Sequence, residues 1–333
     1  MRAIAYERFG PAKDVLSEID LPLPVPQAGE VLVQLVYSGV NPSDVKARAG
    51  LRPGVSKPAY DLIVPHSDGS GVITAVGAGG DAARIGQRVW VWNGQWARPY
   101  GTMAEFIALP QEQAVPLPDG ISMECGASFG IPGLTAAHCL LGGEDIGGKT
   151  VLICGGAGAV GHIAVQLAKW VGARVIATAS AKNHARVHAA GADHVLEYMA
   201  PTLAEDIKKI CPEGVDRAVE LEFGANAALL GDVMRPMGTI AAYGSALDMT
   251  PTVPFGQYLF KALKIDISLI YILPAPERQK AIEALHAAHL AGAFTSSIDQ
   301  IYDFEDCAQA HDEVLKGGRA GASLIKIESP LSR

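Results

Sequence analysis

The feature that most constrains the fold is a glycine motif placed between two apolar segments. Residues 156–161 read G-A-G-A-V-G; they follow the apolar run 151–154 and open the apolar stretch 159–171. Glycines permit a tight turn and let backbone N–H groups approach a pyrophosphate, whose charge the helix dipole also stabilises. This context predicts a Rossmann-type α/β domain that binds a dinucleotide through Gly156, Ala157, Gly158, Ala159, Val160 and Gly161.

The end of the next predicted strand indicates which dinucleotide is bound. NAD-binding domains place an Asp or Glu about twenty residues beyond the glycines, where it accepts a hydrogen bond from the ribose 2′-OH. Residues 178–183 read T-A-S-A-K-N and contain no carboxylate. The Ser180 hydroxyl, the Lys182 ammonium and the Asn183 amide are groups that bind a 2′-phosphate, which an acid would repel. The sequence therefore favours NADPH over NADH.

Composition excludes several classes of protein. The 333 residues are 49% hydrophobic and 19% charged, and the net charge is −8. A folded chain with at least one large core is expected, and a nucleic-acid binder is not, because that function requires clustered Lys and Arg. Five widely spaced cysteines predict no disulfide framework. With no signal-peptide pattern and no membrane-spanning segment in the sequence, we expect a cytoplasmic protein.

The pattern of predicted elements divides the chain. The first third has β-rich segments at 30–37, 70–77 and 88–92, bounded by turns. From about residue 149 onwards, short apolar strands alternate with helices, which is typical of a parallel sheet covered on both faces. After about residue 263 the alternation is less regular. An α/β nucleotide-binding domain between two segments of a β-rich domain is the arrangement that this pattern predicts.

An ordered series of motifs resembles one family. The series comprises S-G-V-N-P-S-D at 38–44, P-H-S-D-G-S-G at 65–71, G-Q-R-V at 86–89, G-T-M-A-E-F at 101–106, G-I-P-G-L-T-A at 130–136, the glycine motif, and G-A-D-H-V at 191–195. In this series the chain resembles the zinc-free quinone oxidoreductase branch, which includes zeta-crystallin, of the medium-chain dehydrogenase/reductase superfamily. The resemblance implies a doubly wound Rossmann domain over residues 122–267 and a discontinuous, β-rich GroES-like catalytic domain over residues 1–121 and 268–333.

The resemblance also bears on metal binding. Zinc-dependent members of the superfamily ligate catalytic zinc with a Cys, a His followed by Glu, and a second Cys. The matching positions here hold Asn41, Ser67-Asp68 and Ile131. Because Asn and Ile supply no thiolate, we predict no catalytic zinc.

Other site residues follow from matching positions in the family. Asn41 matches a pocket residue whose amide can donate to the acceptor oxygen, although its alternative role is to hold the turn before Pro42. Thr135 matches a hydroxyl near the nicotinamide and could instead cap a helix. His66 is our candidate auxiliary proton donor. Further members of the expected site are, in the substrate pocket, Lys46, Tyr60, Trp92 and Tyr100, and, along the cofactor, Tyr198, Gly244 and Ser245.

The function that the resemblance implies is hydride transfer from NADPH to a quinone or a similar electron-poor small molecule, in a cleft between the two domains. One alternative is an NADPH-dependent reductase of enones, 2-alkenals or enoyl thioesters on the same scaffold. Another, of a different class, is a non-catalytic NADPH-binding protein of the crystallin type. Relatives often form homodimers through outer strands of their nucleotide domains, and residues 265–270 are the candidate edge strand here.

Overall fold

The computed structural model of the chain describes residues 1–327. Numbered along the chain, its strands are β1 Arg2–Ala5, β2 Ser17–Asp20, β3 Glu30–Val40, β4 Asp68–Val76, β5 Arg88–Val91, β6 Phe106–Pro110, β7 Ala114–Pro116, β8 Thr150–Ile153, β9 Arg174–Ala179, β10 His194–Glu197, β11 Val215–Glu220, β12 Met234–Ala242, β13 Lys264–Ile267, β14 Ile298–Tyr302 and β15 Ala322–Lys326. Its α-helices are α1 Ala12–Val15, α2 Pro42–Arg48, α3 Met123–Gly126, α4 Leu134–Leu141, α5 Ala159–Trp170, α6 His184–Ala189, α7 Leu203–Ile210, α8 Phe223–Val233, α9 Phe255–Lys261, α10 Ala275–Leu290 and α11 Cys307–Lys316. Two compact units result, Met1–Ile131 with Ser297–Arg333, and Pro132–Ser296.

The first unit is built on a seven-stranded sheet. Its strand order is β14-β15-β3-β4-β5-β7, and β6 also pairs with β3. All pairs are antiparallel except β14 with β15. Alternate residues of β3, including Val31, Val33 and Leu35, are buried in one apolar core that also contains Phe304 and Ile325. This shared core explains why the chain beyond residue 297 completes the β-rich domain begun by the N-terminal segment.

The second unit contains a six-stranded parallel sheet. Its order is β10-β9-β8-β11-β12-β13, and every neighbouring pair is parallel. The central strands read as continuous apolar runs, and Val151, Leu152 and Ile153 of β8 are all fully buried. Such runs are typical of parallel strands that are covered on both faces. The doubly wound Rossmann arrangement expected from the sequence is therefore confirmed.

The division into units differs from the expected domain boundaries. Residues 122–131 lie with the β-rich unit, and residues 268–296 lie with the Rossmann unit rather than with the catalytic segment expected to begin at 268. The second difference has a packing cause, since α10 lies against α4 and α5 of the Rossmann unit. The last six residues of the expected segment 268–333 lie outside the described residues.

Strand β13 includes residues 265–267 of the edge strand expected at 265–270 and is an outer strand of the parallel sheet, whereas residues 268–270 lie beyond its end. It pairs only with β12 among the described strands. Ile265 and Ile267 are 42% and 79% exposed, whereas Asp266 forms an ion pair of 3.7 Å with Arg217. An exposed apolar edge of this kind is open to pairing with another strand.

Two expectations from the sequence, no disulfide framework and no membrane-spanning segment, can be compared with the structure. All five cysteines are buried, and none of them forms a disulfide. Within residues 1–327, no helix has the length and hydropathy needed to cross a bilayer. The cytoplasmic location stays a prediction.

Candidate active site

The glycine motif forms a tight turn between β8 and α5. Gly155 has φ +71°, a backbone conformation that favours glycine, and its N–H donates to Thr178 Oγ1 at 3.2 Å. A Cβ atom on Gly161 would lie 2.2 Å from the Gly155 carbonyl oxygen, so only glycine fits there. Gly158 precedes α5 without a capping side chain. The turn therefore presents the first backbone amides of α5, the feature that binds a pyrophosphate.

The expected 2′-phosphate residues lie where β9 and β10 end side by side. Asn183 Nδ2 donates to Ser180 Oγ at 3.1 Å, and Lys182 is exposed. Ala179 pairs with Glu197, so Tyr198, which is 55% exposed, follows at the same sheet edge. The structure brings these four residues of the sequence-predicted set, Ser180, Lys182, Asn183 and Tyr198, to one end of the sheet.

Sequence reasoning missed Glu197 in this region. Its Oε2 accepts a hydrogen bond of 2.6 Å from the backbone N–H of Ala181. A carboxylate beside the predicted phosphate site opposes phosphate binding, although it comes from β10 rather than from the strand that bears the acid in NAD-binding domains. Its position next to Tyr198, which the sequence analysis assigned to the cofactor site, was the available signal.

Gly244 and Ser245 follow β12 at the carboxyl edge of the parallel sheet. A Cβ on Gly244 would lie 2.3 Å from the Leu221 carbonyl oxygen. Ser245 Oγ accepts from Gly224 N–H at 2.8 Å and donates to the carbonyl of Asp248. These bonds connect the loop after β12 to the start of α8, and a cofactor contact at this loop stays a prediction.

Thr135 is the second residue of α4 in the Rossmann unit and is 5% exposed. Gly133 precedes the helix and caps it with no side chain. Thr135 is therefore not the N-cap residue of this helix, which removes the alternative role considered for its hydroxyl. Its place beside the nicotinamide stays a prediction.

In the β-rich unit, the Asp68 carboxyl lies between Asn41 and Ile131, the other two positions that match the superfamily's zinc ligands. Asn41 Nδ2 donates to Asp68 Oδ2 at 2.7 Å, and the Ile131 backbone N–H lies 2.9 Å from both carboxyl oxygens. A Cβ on Gly130 would lie 2.0 Å from Asp68 Oδ1. The carboxyl group thus fills the space between Asn41 and the chain at 130–131.

These residues do not fit the catalytic zinc of the superfamily. The three positions that match its ligands hold an amide, a Ser-Asp pair and an aliphatic side chain, so no thiolate or imidazole is supplied. The Asp68 carboxyl is already bound by Asn41 and Ile131. Burial raises the pKa of Asp68 well above its usual range, with a further contribution from Asp44.

Asp44 adds a second buried carboxyl to this region. Its Oδ2 accepts a hydrogen bond of 2.9 Å from the Asn41 backbone N–H at the start of α2. Burial raises the pKa of Asp44 to about 7, against the opposing effect of that hydrogen bond. The turn at Asn41 is therefore fixed on its backbone by Asp44 and on its side chain by Asp68, so Asn41 holds the turn, and its contact with a substrate stays a prediction.

The structure does not support His66 as a proton donor to substrate. Its ring is fully buried, with Nδ1 bonded to Ser38 Oγ at 2.9 Å and Nε2 to His311 Nε2 at 2.8 Å. Burial lowers the pKa of His66 to about 3, so the ring carries no exchangeable extra proton at neutral pH. Both ring nitrogens are directed into the β-rich unit rather than toward a solvent-accessible site.

The expected pocket residues also lie in the β-rich unit. Lys46 is half-buried on α2, while Tyr60 and Tyr100 are 36% and 46% exposed. Trp92 is partly exposed, and its indole N–H donates to the Glu112 carbonyl at 3.2 Å. Trp90, two residues before Trp92, is a core residue, fully buried and edge-on to Phe129.

The protein combines a dinucleotide-type turn on a parallel sheet with a mainly antiparallel domain. That domain has buried polar residues at the positions that match the superfamily's zinc ligands. These features define an oxidoreductase of the two-domain dehydrogenase class. Family models agree with both parts. The alcohol dehydrogenase GroES-like domain matches residues 27–119, and the zinc-binding dehydrogenase model matches residues 159–287.

Individual relatives place the chain more narrowly. It is 31% identical to the synaptic vesicle membrane protein VAT-1 homolog of Rattus norvegicus, over 91% of this chain and 78% of that protein. It is 27% identical to the quinone oxidoreductase of Homo sapiens, over 98% of each. The solved structure of mycobacterial Rv1454c complexed with NADPH matches with a TM-score of 0.86 and 27% identity, over 98% of this chain and all (100%) of that one. The chain belongs to the medium-chain dehydrogenase/reductase superfamily, in its quinone oxidoreductase branch.

Proposed function

We propose that the protein is an NADPH-dependent reductase that transfers hydride to a quinone without catalytic zinc. The observation that carries the proposal is the Asn41–Asp68–Ile131 arrangement, in which a buried, hydrogen-bonded carboxyl group and an amide stand where zinc-dependent relatives bind the metal. The human relative named quinone oxidoreductase, similar over almost the whole chain, supports the same acceptor class.

The chain's own residues orient the reactants and polarise the acceptor. The nicotinamide supplies a hydride from its C4 atom when the cofactor is bound. Asn41 donates a side-chain N–H to Asp68, and its amide is also hydrogen-bonded to Asp44; in this proposal the N–H that serves Asp44 turns to a quinone oxygen when the acceptor binds. That donor stabilises the negative charge that develops on the oxygen as hydride arrives at the ring. Because His66 is buried and neutral, water protonates the reduced oxygen.

The cofactor is NADPH in this proposal. The glycine turn binds the pyrophosphate, and Ser180, Lys182, Asn183 and Tyr198 surround the 2′-phosphate. Lys182 contributes the positive charge, and the Ser180–Asn183 hydrogen bond orders the polar groups beside it. The NADPH bound to the mycobacterial structure is consistent with this choice.

The experiment that tests the proposal follows NADPH oxidation by the purified protein, with NADH in parallel, against ortho- and para-quinones and a set of enones. We expect rapid quinone-dependent oxidation that prefers NADPH and persists in a chelator of divalent metals. Turnover with enones alone would replace the proposal by an alkene reductase. NADPH binding without turnover of any acceptor would favour the non-catalytic, crystallin-like alternative.

The proposed assembly is a homodimer formed through β13. Its exposed Ile265 and Ile267, with Phe260 of α9 at 89% exposure, form an apolar edge within the Rossmann unit. Pairing of β13 with its copy would satisfy the open edge and bury these side chains. Light scattering should give twice the chain mass for the wild type and the chain mass for Ile267→Lys. Ile85→Lys, which changes a 52% exposed isoleucine of the other unit, is the control and should remain dimeric.

A further inference from the structure

Three side chains that can ligate a metal meet in the interior of the β-rich unit. His66, Cys307 and His311 are at most 1% exposed, and one ligating atom of each lies within 4.8 Å of the other two. Cys307 and His311 are four residues apart on α11 and therefore share one face of that helix. His66 comes from the segment just before β4. Nothing in the proposed hydride transfer uses this cluster.

A chain of hydrogen bonds fixes the tautomer of His66. Thr102 Oγ1 donates to the Asp68 carbonyl at 2.6 Å, so its one proton is used there. Ser38 Oγ, 2.8 Å from Thr102 Oγ1, must therefore donate to it. Ser38 can then only accept from His66, whose Nδ1 consequently carries the hydrogen. The Nε2 atom of His66 is left with a bare lone pair directed at His311.

The same reasoning assigns His311. Its Nε2 lies 2.8 Å from the bare His66 Nε2 and must be the donor. In a neutral ring the remaining Nδ1 then has a lone pair, and this atom is buried without a hydrogen-bond partner. The unpartnered Nδ1 can therefore accept the proton that Nε2 must give up before Nε2 can bind a metal.

The hydrogen bonds around His66 resemble those around a metal-binding histidine. A ligating imidazole usually donates its other N–H to an oxygen acceptor, which fixes the orientation of the ring. The Ser38–Thr102–Asp68 carbonyl chain performs this role for His66. The backbone of His66 is also strained, with φ 76°, a conformation that non-glycine residues adopt mainly where surroundings enforce it.

We propose that His66 Nε2, His311 Nε2 and Cys307 Sγ bind one soft transition-metal ion, copper(I), which joins α11 to the start of β4. Thiolate and imidazole are the ligands that such an ion prefers, and three of them form a trigonal site. The position differs from that of the superfamily's catalytic zinc, whose matching residues are Asn41, Ser67 and Ile131.

Charge favours copper(I) over zinc(II). One thiolate and two neutral imidazoles bring the site to zero net charge with copper(I) and to a positive charge with zinc(II). The buried Arg48 guanidinium of α2, 4.0 Å from the Asp312 carboxylate of α11, already places a positive charge in this part of the interior, so a further positive charge would be unfavourable.

Binding requires small movements and releases one proton. Metal–ligand bonds of about 2.0–2.3 Å set neighbouring ligand atoms more than about 3 Å apart. The two Nε2 atoms, now 2.8 Å apart, must therefore separate slightly while Cys307 moves closer. The Cys307 thiol loses its proton to solvent as the metal–sulfur bond forms. The Nε2 proton of His311 transfers to its unpartnered Nδ1, which leaves Nε2 free to ligate.

The test measures metal rather than activity, so its result is independent of the proposed reductase function. Wild-type protein is refolded anaerobically with copper(I) or with zinc(II), dialysed, and analysed by elemental mass spectrometry and by X-ray absorption at the copper edge. We expect about one copper ion per chain, with sulfur and nitrogen neighbours, and a higher Tm than the metal-free protein.

Two conservative variants and a matched control identify the ligands. Cys307→Ser and His311→Gln preserve side-chain size and should each lower the copper content at least tenfold. Cys125→Ser changes another buried cysteine of the same unit and should retain the copper. Three outcomes would each overturn the proposal. They are a wild-type protein that contains no metal after refolding with copper, a wild-type protein that binds zinc(II) alone, and equal copper content in Cys307→Ser and wild type. The wild-type measurement decides the question even if a variant fails to fold.

Discussion

The side-chain amide of Asn41 donates a hydrogen bond of 2.7 Å to Asp68 Oδ2, 27 residues further along the chain. Both residues are nearly fully buried, at 4% and 1% exposure. The bond fixes the direction of the amide, so that its second N–H is held in one orientation before any acceptor arrives. Such preorganisation is what makes a single hydrogen-bond donor effective in catalysis.

Replacement of Asn41 should therefore slow turnover without weakening the binding of the cofactor. We expect Asn41→Leu, which keeps the size of the side chain but removes both N–H donors, to lower kcat for quinone reduction about tenfold to a hundredfold. The dissociation constant for NADPH, measured by fluorescence titration, should stay at the wild-type value. Gln113→Leu removes a buried amide from a distant part of the same unit and is the control. Equal kcat in wild type and Asn41→Leu would refute the assigned role.

The choice between NADPH and NADH should depend on two charges of opposite sign. Lys182→Ala removes the cation proposed to bind the 2′-phosphate, and we expect NADPH to bind about threefold to tenfold more weakly while NADH is unaffected. Glu197→Gln removes the carboxylate that accepts from Ala181 N–H, and should tighten NADPH binding by a similar factor.

The control for this pair is Lys208→Ala, which removes a surface lysine paired with Asp232 elsewhere in the Rossmann unit. Its NADPH affinity should equal that of the wild type. If Lys182→Ala and Lys208→Ala bind NADPH equally well, Lys182 does not contact the phosphate. All affinities are compared at one ionic strength, since salt screens exposed charges.

Two glycines of the Rossmann unit should respond in opposite ways to alanine. The Gly161→Ala methyl group would lie 2.2 Å from the Gly155 carbonyl oxygen, so the glycine turn must shift. We expect a loss of about 1–3 kcal/mol in the free energy of unfolding. Gly256 lies inside α9 with nothing within 4 Å of the added Cβ, and Gly256→Ala should be neutral or stabilising by about 0.5–1 kcal/mol. Urea titration measures both; a stable Gly161→Ala protein would contradict the packing of the turn.

Asp44 should make stability depend on pH in a direction opposite to that of most carboxyl groups. Burial raises the pKa of Asp44 from its ordinary 3.8 to about 7, so the folded state holds this proton more tightly than the unfolded state does. The resulting stabilisation is complete below about pH 4 and is lost as pH rises toward 7. At roughly 1.4 kcal/mol per pKa unit, this effect is on the order of 3–4 kcal/mol.

The variant Asp44→Asn isolates this contribution, because its uncharged side chain can still accept from the Asn41 backbone N–H. Urea unfolding from pH 4 to pH 7 should show wild-type stability falling relative to the variant throughout that range. Parallel curves for the two proteins would mean that Asp44 titrates normally in the folded chain.

Local sequence patterns were sufficient to predict the Rossmann half of the fold. The glycine turn, α5 and β9 are contiguous, and each depends on nearby residues, so the dinucleotide motif and its flanking elements were found where expected. The edge position of β13 also followed from a short apolar run. The structure differs from the predicted domain boundary at residue 268 because of a contact that is not local. Helix α10 packs on α4, which lies more than a hundred residues earlier in the sequence.

The polar centre of the β-rich unit could be predicted only in part. Asn41, Asp68 and Ile131 were identified as positions that match the family's zinc ligands, but the hydrogen bond between Asp68 and Ile131, 63 residues apart, is made only by the folded chain. His66 was expected at the substrate, yet its ring bonds His311, 245 residues distant. Single-residue chemistry cannot predict which of two interior partners a side chain will meet, because that choice is made by tertiary packing.

The left-handed backbone at His66 has a consequence for how this region can vary. In a regular strand, residues two apart face the same side, so His66 and Asp68 would otherwise share partners. The φ of 76° rotates His66 out of that alternation, and the two side chains bind different groups. A β-branched residue at 66, or a one-residue deletion between 65 and 68, would disturb both sets of partners at once. Among natural variants of this chain, insertions and deletions should therefore be common in the exposed loop at 51–61 and rare at positions 65–68.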